Sequence, residues 1–196
     1  MILKTSLAMS LLLVAAWPVA AEPFHHPFGE WREYNRDWLA ACPDVIDEDA
    51  TNYYGFSCFA STASTALNAS GLPAYKLSVL RNRLTGDIDI AVTVAADGVT
   101  ADTSRPMVIA FAGEPRLSLD FTSDLETRYD TVNQFFIANE TKRDSLLEAM
   151  RQRNALTLTV PLTGGKPDHA NIWLSLRGLT ASLDFMATYA RKVSQY

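Results

Sequence analysis

Apolar and polar positions alternate with a period of two through much of this chain, the mark of half-buried strands. The cleanest run is 88–94, where Ile88, Ile90, Val92 and Val94 alternate with Asp89, Ala91 and Thr93. The run before it, 75–84, carries Leu77 and Val79 on one face. Thr85-Gly86-Asp87 lies between them and reads as a turn, so the two runs are expected to pair as a hairpin. Residues 38–42 read as a first strand stopped by Pro43, and 53–58 begin a second. A weak strand at 99–102 is followed by stronger ones at 107–111 and 116–121, with Gly113-Glu114-Pro115 between them. Residues 129–138, with Val132, Phe135, Phe136 and Ile137, read as another. Leu156, Leu158 and Val160 alternate with threonines, and Ile172, Leu174 and Leu176 alternate with Trp173, Ser175 and Arg177. The loop 163–167 turns the chain between these last two runs.

The period changes to that of a helix in two places, both late. Leu146, Leu147 and Met150 make one apolar stripe, and Leu183, Met186 and Ala190 make another. Thr141 with Asp144 has the spacing of a capping box, and Asn154 is a residue that stops helices. Gly178 breaks the last strand, and Thr180 is the expected N-cap of the final helix. Arg191 and Lys192 stand where a helix C-terminus favours cations. The predicted fold is mainly β (α+β): an antiparallel β-sandwich or curved sheet with two helices late in the chain. A parallel α/β fold does not fit, because helices do not separate the strands.

The chain has 196 residues, 48% apolar and 20% charged, which suits a single globular domain. Residues 1–21 read as a signal peptide. Lys4 is followed by a Leu- and Ala-rich run, Pro18 and the small residues Val19-Ala20-Ala21. The apolar run is shorter than the roughly 20 residues a membrane helix needs. The expectation is export with cleavage near Ala21 and no membrane span afterwards. Residues 22–196 then form a single β-rich domain, with 22–30 as an irregular arm rich in proline. A net charge of −5 argues against a broad nucleic-acid surface.

Cys42 and Cys58 are the two cysteines. In an oxidising compartment a disulfide between them is the expectation, with two buried thiols or one reactive thiol as alternatives. Such a bond closes a loop carrying Asp44, Asp47, Glu48 and Asp49, which lacks EF-hand spacing and reads as a solvated acidic loop. His25 and His26 are adjacent, so on an extended chain they point apart and make a poor metal chelate. No catalytic, cofactor-binding or metal-binding residues are assigned. Nucleophile-elbow, zinc-protease, phosphate-loop and Cys-x-x-Cys motifs are missing from the sequence. A hydrolase using His169, beside Asp168 and a glycine-rich turn, is the enzymatic alternative. Trp31, Tyr34 and Trp38 cluster near Arg32 and Arg36, residue types that dominate binding hot spots. Trp38 enters the first strand and is expected in the core. Trp31 and Tyr34 are the candidate partner contacts.

Three patches carry a family resemblance: Trp38 with Cys42, DSLLEAMRQRNALTLTV at 144–160, and LSLRGLTASLDF at 174–185. In these the chain resembles the invasion-associated locus B family of exported bacterial proteins. The resemblance implies a β-rich periplasmic or secreted protein of a Gram-negative bacterium, linked in some members to host-cell entry. It implies no catalytic residues and no cofactor. The functional expectation is a non-enzymatic module that binds an unknown protein or envelope component. A purely structural periplasmic module is a further alternative.

Overall fold

In the computed structural model, which describes residues 22–47, 49–50 and 55–193, the period-two runs form antiparallel strands. The signal-peptide reading of 1–21 lies outside the described residues, as do Glu48 and the expected start of the second strand at Tyr53 and Tyr54. The strands are β1 (Phe24–His26), β2 (Glu30–Asn35), β3 (Trp38–Pro43), β4 (Ser57–Ala63), β5 (Tyr75–Asn82) and β6 (Ile88–Val94). After them come β7 (Thr100–Ala101), β8 (Met107–Ala110), β9 (Leu117–Leu119), β10 (Leu125–Glu126) and β11 (Gln134–Ile137). Helix α1 (Glu140–Gln152), β12 (Ala155–Thr163), β13 (His169–Ser175) and helix α2 (Leu179–Val193) complete the order.

One curled sheet runs β1-β2-β3-β4-β5-β6-β11-β10, and a smaller one runs β13-β12-β8-β9, with β7 beside β12. This is the β-rich fold with two late helices that the pattern predicts. Its core lies between the sheets, where Val79, Ile90 and Val92 meet Ile109, Leu158 and Leu174. Met150 of α1 and Met186 of α2 close the same core, as their stripes require. The 75–84 and 88–94 runs pair as expected, from Tyr75 opposite Val94 to Arg81 opposite Ile88.

Several local expectations are corrected. Residues 24–35 are a hairpin rather than a wholly irregular lead-in. Phe24 pairs with Arg32 and His26 with Glu30 across a turn that holds Gly29 at φ +75°. Helix α1 is capped by Asn139, whose side chain accepts from the Lys142 amide at 3.1 Å, and not by Thr141. It ends at an extended Arg153 rather than a left-handed Asn154. Thr180 lies inside α2, and Gly178 stands at the entry instead. The 129–138 run shortens to β11 because Tyr129 and Asp130 both take positive φ, which ends a strand.

Cys42 and Cys58 form a disulfide with Cα atoms 4.2 Å apart, joining β3 to β4 in the core. The loop it closes is of a size for which chain-entropy estimates give about 3 kcal/mol. Cys42→Ser is expected to lower the unfolding free energy by that order, as read from denaturant melts under non-reducing conditions. A melt unchanged by the substitution contradicts the assignment.

Candidate functional site

Two surface features collect the residues singled out in the sequence. The first is a cleft of about 810 Å³ between the sheets. One wall is β13. The other is the end of β4 with the turn that follows, residues 62–66. At one end β13 is tied to the β2–β3 turn and the start of β3. The Ser175 hydroxyl donates to Asp37 at 2.6 Å, and the Trp38 indole donates to the Ser175 carbonyl at 3.0 Å. Tyr75, Val99, Leu162 and Ile172 give the cleft an apolar lining, and Trp173 stands at its rim, 65% exposed.

His169 lies at the far end of β13. Its Nδ1 is 2.9 Å from Asp168 Oδ1. Arg105 donates to the other Asp168 oxygen at 2.7 Å and to Asp102 at 2.8 Å. Hydrogen bonds from His169, then Arg105, hold the Asp168 carboxyl below the usual carboxylate range. The arrangement orients an imidazole, as a hydrolase requires, and among the described residues its hydrogen bond is to Asp168. Ser175 is six residues along the same strand, roughly 20 Å at a rise of about 3.3 Å per residue, and its hydroxyl is given to Asp37. The Ser64 hydroxyl on the facing wall donates to the Ala66 carbonyl and accepts from the Tyr75 amide. Neither serine hydrogen-bonds to His169.

The second feature is the β1–β2 hairpin at the edge of the curled sheet. Alternation sends its side chains to two faces. Phe24, His26, Arg32 and Tyr34 share the outer face. The Phe24 and Tyr34 rings stack at 5.9 Å, and Phe28, in the turn, lies 4.6 Å from His26 and 5.6 Å under Arg32. Phe28 is 81% exposed and Tyr34 52%. His25, Trp31 and Glu33 take the inner face. There Trp31 meets Tyr189 of α2 at 5.5 Å and His25 at the same distance. Burial first, and Glu33 second, raise the Tyr189 phenol above its usual pKa. Trp31 is therefore 37% exposed, against 1% for Trp38, which is core as expected. Trp31 and Tyr34 do not share one surface. Sequence reading missed Phe24 and Phe28, whose signal was the run of aromatics before, within and after the Pro27-Phe28-Gly29 turn.

His25 and His26 do point apart. His25 bonds Asp44 of the acidic loop at 2.5 Å, while His26 faces Phe28. Among the described residues, groups of three or more His, Cys, Asp or Glu placed to hold a metal ion are absent. No described helix is long and apolar enough to cross a membrane.

No protein-family model and no curated protein matches the chain in sequence. The fold has a solved counterpart. The crystal structure of invasion associated protein B from Bartonella henselae superposes with a TM-score of 0.52 at 15% identity. The match covers 82% of this chain and 98% of that one, so this chain shares the fold of invasion associated protein B over nearly that protein's whole length.

Proposed function

We propose that this chain is an exported, non-enzymatic envelope or secreted protein of a Gram-negative bacterium, and that it binds a partner through the outer face of the β1–β2 hairpin. The observation that carries the reading is the strip of exposed rings Tyr34, Phe24 and Phe28 at a sheet edge, joined by the partly buried His26 and by Arg32, which is ion-paired with Glu30 on the same face. Exposed aromatic strips with an arginine are the chemistry of binding surfaces. Likeness in fold to invasion associated protein B supports the envelope setting. The Cys42–Cys58 bond is compatible with an extracytoplasmic compartment. The partner is a protein or envelope component with an apolar face to meet Phe24, Phe28 and Tyr34, since Arg32 is already paired with Glu30. Trp31, on the inner face, flanks the strip and braces the hairpin on α2.

The test is paired capture and melting. Phe28→Ala with Tyr34→Ala is expected to change stability by no more than about 0.5 kcal/mol, as for surface sites without buried partners. Capture of the envelope species retained by the wild-type chain is expected to fall at least about tenfold, the loss of one hot-spot residue or more. Undiminished capture by the folded double variant rejects the reading.

A further inference from the structure

We propose that the inter-sheet cleft takes an uncharged extended peptide segment as an additional antiparallel strand on β13. The hydrogen-bond phase of the β12–β13 pair sets which groups are free. Leu162 N–H donates to Asp168 C=O, and Leu176 N–H donates to Asn154 C=O. With the register running from Ala155 opposite Ser175 to Pro161 opposite His169, residues 170, 172 and 174 spend their backbone groups on β12. The N–H and C=O groups of His169, Asn171 and Trp173 therefore point the other way, along the cleft. The same phase explains why Ser175 C=O is available to the Trp38 indole, and Arg177 C=O to the Asp37 amide, where the cleft closes.

The facing wall repeats the situation. Ser64 N–H donates to Tyr75 C=O, so Ala63 turns its backbone toward the β3 side. The β3–β4 register, from Ala41 opposite Phe59 to Leu39 opposite Ser61, stops short of Ala63. Both walls thus offer unpaired peptide groups to the same space.

Other sheet ends in this protein are blunted. The terminal strands β1, β9 and β10 are three, three and two residues long. β13 has seven residues, HANIWLS, with no proline and no Lys, Arg, Asp or Glu. It lacks the proline, charge and short length that blunt a free edge, though the turn at 62–66 stands across the cleft from it, and it carries a Trp exposed to solvent. Charge complementarity selects the occupant. The β13 edge offers alternating partial charges of N–H and C=O with no formal charge, and the backbone of an extended peptide is their complement; the charged groups that line the cleft, Asp37, Asp97 and Lys166, lie outside β13. Side chains alternating inward would meet Tyr75, Val99, Leu162 and Ile172, so every second residue should be apolar. A second copy fits less well, because the residues 62–66 wall recesses β13 from a flat partner edge.

The test uses the full chain and a blocked peptide of alternating Thr and Val, matched in length to β13, read by amide hydrogen exchange. In the free monomer the amides of His169, Asn171 and Trp173 should exchange fast and those of Ala170, Ile172 and Leu174 slowly. Saturating peptide should slow the first set at least about tenfold. A peptide N-methylated at alternate residues should not bind. Asn171→Pro, which removes the central donor where an edge strand tolerates proline, should keep the fold and abolish the slowing. If that variant does not fold, the N-methyl pair decides alone. Unchanged exchange at the peptide's solubility limit, or equal binding of the N-methylated peptide, overturns the proposal. So does slow exchange in the free protein: in a dimer it assigns the edge to a second copy, and in a monomer to the chain's own residues.

Discussion

Gly178→Ala is expected to destabilise the fold by about 2–6 kcal/mol. Gly178 has φ +104°, a conformation that residues with a side chain rarely adopt, and forcing one there costs about 1–3 kcal/mol. A methyl group on its Cα would also stand 1.8 Å from the Asn35 carbonyl oxygen at the end of β2. That oxygen is backbone and cannot swing aside, so a further crowding cost of about 1–3 kcal/mol follows. The contact is the point at which α2 enters. Ser182 N–H donates to Gly178 C=O in its first turn, and the Asn35 amide reaches the Ser182 hydroxyl at 3.3 Å. Chemical denaturation should show the loss. A variant as stable as wild type would mean that α2 does not dock as described.

Trp38→Ala is expected to cost about 3–5 kcal/mol, the range for removing a buried large aromatic side chain. Its ring is 1% exposed and part of the core, and its indole N–H is bound to Ser175 C=O. The substitution opens a cavity and also unties the closed end of the inter-sheet cleft. Trp38→Phe keeps most of the volume and loses the hydrogen bond, worth about 1 kcal/mol. The difference between the two variants separates packing from tethering. Trp31→Ala should cost less, about 0.5–1.5 kcal/mol, because the ring contributes aromatic contacts to Tyr189 and His25 while half-exposed.

Strands whose alternation ran for several residues were readable. Ile88–Val94 and the β12–β13 hairpin stand where their periods put them. The β1–β2 hairpin was not readable, because β1 has three residues and Pro27 and Gly29 resemble an irregular arm when they are its turn. Asn139 was passed over as a helix cap because Thr141 with Asp144 offered a stronger local signal, yet Asn139 meets the Lys142 amide. The two candidate surfaces depended on distant parts of the chain. Trp31 is exposed as read, but its contact with Tyr189 depends on α2, and the cleft exists because β13 is brought against the end of β4. Sequence periodicity reports which face of a strand is buried, not which element buries it.

The outer hairpin face is proposed to meet a partner. A photo-reactive amino acid at position 28, in cells, tests it most directly, with position 132 as the control because Val132 is also exposed but lies outside the aromatic strip. The account predicts a discrete adduct from position 28 that is absent from position 132 and is lost when Tyr34→Ala is added. Adducts that are the same from both positions, or none from position 28 in a folded chain, would contradict it.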